Sequence, residues 1–227
     1  MFEFTIREND FLNGFLDLLS DYVNKSYKFT MSYLTSPLLS DVRESERLVL
    51  LVVNKSVFQN MYSFIKLNDS NMQFASFSCL ETAVNSMRLY NVLATNPDYM
   101  HEYITGGNFS LEVCENEISE KQKEYKKGEE EFSFREFATG LDKFNSFELK
   151  NAAVVSQLVD GNIYLGLSCG NELGEDLQDE VRKSMIGAYL SLSKHNKMFF
   201  NGGIDDTLEE LEDKLYAKFL EYIRKFS

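Results

Sequence analysis

Apolar residues recur at helical spacing along most of this chain, and the polar positions between them mark where helices begin and end. After Asn9 and Asp10, both good N-caps, Phe11, Phe15, Leu18, Leu19, Tyr22 and Val23 fall on one helical face. The pattern predicts a helix to about Tyr33, broken by Ser36-Pro37. A second helix is expected from about Asp41 to Lys66. Its first half, "RLVLLVV", is apolar nearly all round, so that part is expected to be buried. The β-branched residues there would also suit a strand, but Val57, Phe58, Met61, Tyr62 and Ile65 continue in a helical pattern. "LNDSN" is the turn, and a third helix runs from about Asn71 to Thr95. Asn96-Pro97 ends it. Pro97 suits the first turn of a short fourth helix, "PDYMHEYIT", with Gly106-Gly107 at its end.

Beyond that point the pattern weakens. "SLEVCENEISEKQKEYKKGEEEFSF" is dense in charge and nearly without apolar period, as expected of a projecting helix or a connector over about 110–132. "FREFATGLDKF" reads as a short helix and a turn. In "NAAVVSQLVDGNIYLGLSCGNELG", Asp160-Gly161 between apolar runs is a hairpin signal, while poor alternation on both sides favours helix. A small β-hairpin near 154–168 therefore stands as the alternative. After Gly174 a helix is expected, with acidic residues early and lysines late, as the helix dipole prefers. The last helix opens with Asp206 as cap and Glu209 three residues on. Leu208, Leu211, Leu215, Phe219, Ile223 and Phe226 form its stripe. There is no internal repeat and no linker rich in Pro, Gly or Ser. The expectation is an all-α, single-domain helical bundle of about seven to nine helices over residues 1–227.

Composition supports this. Only 2 Pro and 12 Gly occur in 227 residues, which favours long uninterrupted helices. The hydrophobic share, 44%, is ample for a substantial core. The net charge of -13 counts against direct nucleic-acid binding, because phosphate contacts need a basic excess. Cys79, Cys114 and Cys169 are widely spaced with no C-x-x-C, which suggests reduced thiols and a cytoplasmic location. The N-terminus lacks a basic start followed by an apolar core, so no signal peptide is expected. No apolar run approaches about 18 residues, so no membrane span and no membrane partner are expected.

Candidate chemistry is sparse. His101 and His195 lie far apart, outside any metal-ligand spacing, and both are expected at the surface. Phosphate cradles of the G-x-x-x-x-G-K-[ST] and G-x-G-x-x-G types are absent, as is the G-x-S-x-G elbow. No cofactor and no metal are expected. The thiols lack a nearby basic cluster that would activate them. Glu115/Glu117 and Glu209/Glu210 lie on charged helices and are expected to be solvated, unlike a general acid. The third helix carries the one organised polar feature. At about 100° per residue, Phe77, Cys79, Leu80, Ala83, Val84, Met87, Tyr90, Leu93 and Ala94 cover a wide apolar arc. Ser78, Glu81, Thr82, Asn85 and Arg88 share the remaining arc. That stripe is either a solvent face or the lip of a cleft.

The run from "VFQNMYSF" through "SCLETAVNSMRLYNVLATNPDYMHEYI" resembles bacterial helical proteins related to the HEPN superfamily (higher eukaryotes and prokaryotes nucleotide-binding). The group has a helix reading roughly R-x-x-x-E, then apolar residues, then Asn-Pro and a short helix. Glu81 occupies the Glu, and Asn96-Pro97 the helix end. A later Y-x-x-x-S-x-x-x-H resembles "YLGLSCGNE", with Tyr164 and Ser168 in place. Two positions depart: Phe77 stands at the Arg, and Glu172, beside Asn171, at the His. The ribonucleases of the superfamily use R-x(4–6)-H, and no Arg here is followed by His at that spacing. The resemblance covers roughly residues 45–200. It implies a helical bundle, a homodimer and a bacterial or phage conflict setting, but not nuclease activity.

Three readings follow. The first is a non-catalytic interaction protein acting through protein partners. The second is a divergent ribonuclease with a site built from Glu81, Arg88, Ser168 and Asn171. The third is an acidic phage-encoded inhibitor of a nucleic-acid-binding enzyme. The balance is against an enzyme, and Glu81, Asn85, Arg88, Ser168 and Asn171 are the candidate binding residues.

Overall fold

The computed structural model describes residues 10–36, 42–70, 73–125, 133–141, 170–199 and 205–226. Among these residues the chain is all-helical, with eight helices and no strand. They are α1 (Asp10–Leu34), α2 (Glu44–Asp69), α3 (Gln73–Thr95), α4 (Pro97–Thr105), α5 (Leu111–Tyr125), α6 (134–141), α7 (Gly170–Lys197) and α8 (Asp206–Phe226). The segment near 154–168, where helix and hairpin competed, lies outside the described residues.

The helix ends follow local chemistry. The Asn96 side chain accepts from the Asp98 amide at 3.0 Å, and Pro97, with no amide to satisfy, opens α4. Gly106 closes α4 at φ 69°, a left-handed conformation that glycine adopts without steric cost. The cap of α8 is Asp205, not Asp206. Its carboxylate accepts from the Thr207 amide at 2.9 Å, and its carbonyl accepts from the Leu208 and Glu209 amides. Two adjacent aspartates are equal as caps in sequence; backbone geometry chooses between them.

The main core is one contiguous cluster. Phe15, Leu19 and Tyr22 of α1 meet Val57, Met61 and Phe64 of α2, with Phe77, Leu80, Val84 and Met87 of α3. Phe134 and Ala138 of α6, Met185, Tyr189 and Leu192 of α7, and Leu208, Leu211 and Leu215 of α8 complete it. Each large side chain fully buried here contributes about 1.5–3 kcal/mol. α2 and α3 form an antiparallel hairpin across the short turn. The second half of α7 is deeply enclosed, buried at 184–189, 191–193 and 195–196. A Cβ at Gly187 would fall 2.1 Å from the Phe137 ring, so this glycine lets α6 lie directly on α7.

Two expectations about α2 and α5 change. The apolar first half of α2 is not buried: Leu48 and Val52 are 60% and 59% exposed, and burial begins at Val53 and Asn54. By length and composition α2 is also long enough and apolar enough to cross a membrane. Within the fold it lies against α1 and α3 and buries two asparagines, Asn54 and Asn68. The charged stretch forms α5, whose first half docks against the body. Cys114 packs with Val92 and Tyr99, and Leu111, Ile118 and Phe109 close over them.

Candidate functional site

The stripe on α3 lies where its periodicity places it, with Phe77, Leu80, Ala83, Val84 and Met87 buried opposite. Ser78 and Thr82 face solvent, and Glu81, Asn85 and Arg88 are half-buried. α5 covers the last of these. Arg88 Nε donates to Glu115 Oε1 at 2.9 Å, and Nη2 donates to Oε2 at 2.7 Å. Nη1 donates to Asn85 Oδ1 at 2.8 Å, one turn back on the same helix. The two charged side chains are only 15% and 12% exposed, so Glu115 is not the solvated carboxylate its charged surroundings suggested. A forked guanidinium and a carboxylate at these distances form a strong bidentate pair. Glu81 is also engaged within the fold.

Two further polar links hold α5. Tyr99 of α4 donates to Glu117 Oε2, and the carboxylate beside the phenol, with some burial, pushes its pKa up to about 12. Arg135 of α6 donates to Glu112 Oε1 at 2.8 Å and to Asn116. The Asn85–Arg88 end of the candidate stripe is thus a clasp between α3 and α5. Of the other candidates, Asn171 stands in the first turn of α7, and Ser168 lies outside the described residues.

A second polar constellation lies deeper and was not foreseen. His195 is fully buried rather than at the surface. The rings of Tyr90, Phe199 and Phe58 wall it in, with centroids 5.1, 5.3 and 6.2 Å away. Its Nε2 lies 2.9 Å from Asn54 Oδ1. Asn54 Nδ2 donates to Thr30 Oγ1 at 2.9 Å, which leaves Oδ1 as the acceptor and fixes the imidazole hydrogen on Nε2. Nδ1 has no hydrogen-bond partner among the described residues. The next residue, Asn196, donates to Tyr22 OH at 3.0 Å and to Ser26 Oγ at 2.8 Å. Two consecutive residues of α7 therefore pin α2 and α1. Burial without a counter-charge pushes the imidazole pKa down to about 3, so His195 is neutral near pH 7.

These arrangements differ in what chemistry they allow. The Nε and both terminal nitrogens of Arg88 are held, and so are both oxygens of Glu115. His195 has a free basic nitrogen but no solvent exposure, and a general base must reach its substrate proton. Burial pushes both described thiols, Cys79 and Cys114, above the ordinary value, and Glu117 adds to the rise at Cys114. Among the described residues, no three His, Cys, Asp or Glu side chains stand together as a metal site.

One signal for the deep line existed: Asn54 ends "RLVLLVV" just before helical periodicity resumes. It could not be assigned, because its partners Thr30 and His195 are 24 and 141 residues away. Fold and site together define an all-helical protein whose organised polar groups join helix to helix. No protein-family model, no curated protein and no solved structure matches this chain.

Proposed function

We propose that this protein is a non-catalytic helical interaction protein that acts through protein partners. The observation that carries this reading is the state of Arg88. It is the cation of the stripe that sequence singled out, and its Nε, Nη1 and Nη2 donate within the fold, to Glu115 and Asn85. A substrate-handling arginine presents donors to a cleft; this one presents two to Glu115 of a neighbouring helix and one to Asn85 of its own. His195 fits the same reading, as a neutral link inside an aromatic cage. The net charge of -13 favours a partner with a basic protein surface over nucleic acid. The resemblance to HEPN-type bundles without the Arg–His pair adds a bacterial or phage conflict setting as the expected context.

The test is a long incubation of the purified chain with labelled single-stranded RNA. The expected result is intact RNA with both the wild type and Glu81→Ala. Cleavage by the wild type that Glu81→Ala abolishes would overturn the reading in favour of a divergent ribonuclease.

A further inference from the structure

α2 has one outward face. Between Leu48 and Lys66 every exposed residue of the helix falls on it: Leu48, Val52, Lys55, Gln59, Tyr62 and Lys66. The steps alternate between four and three residues, which is the spacing of a two-helix seam. Leu48, Val52 and Tyr62 are 60%, 59% and 48% exposed. The stripe holds two lysines and no acid, on a chain of net charge -13. Beside it stand two uncharged, half-buried side chains of the same helix, Ser56 and Asn60. Ser56 of α2 shares a 3.0 Å hydrogen bond with Ser86 of α3, and Asn60 donates to the Ser56 carbonyl at 2.9 Å.

We propose that this stripe is a twofold dimer seam, closed by a second copy of the chain in antiparallel register. Two acidic bodies repel, so they approach best where carboxylates are absent. An isologous interface must also be complementary to itself. The stripe meets that condition, because its spacing reads the same in both directions. Turned antiparallel about its midpoint, it sets Val52 against Tyr62 of the second copy and Lys55 against Gln59. Leu48 then lies against the aliphatic stem of Lys66. No lysine faces a lysine. A seam of one helix per copy is small, so the dimer is weak.

This inference stands apart from the proposed function. A dimer with no other partner satisfies it, and a monomer that binds another protein does not. The test is sedimentation equilibrium of the full chain over a micromolar concentration series. The expected result is a monomer–dimer equilibrium that tightens with added salt, because screening relieves repulsion between two acidic bodies. Val52→Glu and Tyr62→Lys, each at an exposed position, are each expected to weaken it by about tenfold or more, with helical content unchanged. Mixing the two variants is expected to restore association, since the new carboxylate at 52 then faces the new ammonium at 62. Four outcomes overturn the proposal. They are a monomeric wild type, a dimer indifferent to both variants, loss of dimer without rescue in the mixture, and a monomer that binds phospholipid vesicles through Val52.

Discussion

Two polar assemblies hold this bundle together, and they do it by opposite means. The line of Thr30, Asn54 and His195 is uncharged and shut away from water. The clasp of Asn85, Arg88 and Glu115 is built on a charged pair and lies near the rim, under α5. Both join helices distant in sequence. A neutral hydrogen bond in a dry core gains modestly but is costly to leave half-made. A charged pair near the surface keeps some contact with water, which lowers the desolvation cost of assembling it. The deep line thus fixes the register of α1, α2 and α7, and the clasp fixes where α5 lies.

The largest expected effect comes from breaking the deep line. Asn54→Ala leaves the Nε2–H of His195 without its acceptor, removes the donor to Thr30 Oγ1 and opens a small cavity. The expected loss is about 3 kcal/mol of unfolding free energy, measured by urea denaturation. Adding salt should leave that loss unchanged. Arg88→Ala is next, at about 2–3 kcal/mol, because it strands a mostly buried Glu115. Here salt should shrink the loss in part, and replacing Arg88 and Glu115 together by Met and Leu should recover most of it. If the two losses respond to salt alike, the contrast between the assemblies fails.

A pH series separates them differently. His195 has its folded pKa lowered to about 3 from an ordinary 6.5, so its unfolded form binds the proton first as pH falls. Its contribution is intact above about pH 6.5 and shrinks by about 1.4 kcal/mol per unit from there toward pH 3. Tyr90, Phe58, Phe199 and Asn54 face the ring, and none carries a charge in that window. Thermal melts between pH 6.5 and 5, before carboxylates dominate, should show the slope in the wild type and lose most of it in His195→Gln. The smallest effect is Tyr99→Phe, which removes the bond to Glu117. It should cost about 1–2 kcal/mol and be felt at α5, as faster amide exchange in that helix alone.

The sequence by itself determined the helical class, the order of the first four helices and most of their limits. Local chemistry suffices for these. Asn96, Pro97 and Gly106 end helices by their own backbone preferences, and the three-to-four spacing of α3 sorts Leu80, Val84 and Met87 from Glu81 and Arg88 whatever lies nearby. What a polar residue does depends on which helix lands against it, and only the tertiary structure decided that. The polar arc of α3 was legible, but its meeting with Glu115 across 27 residues was not. Likewise "SKHNK" reads as a charged helix end. Packing alone turns His195 and Asn196 inward while Lys194 and Lys197 remain outside the buried set. Amphipathicity also misled at Leu48 and Val52, because an apolar residue is buried only where a neighbour covers it, and here α1 and α3 leave the outer face of α2 open.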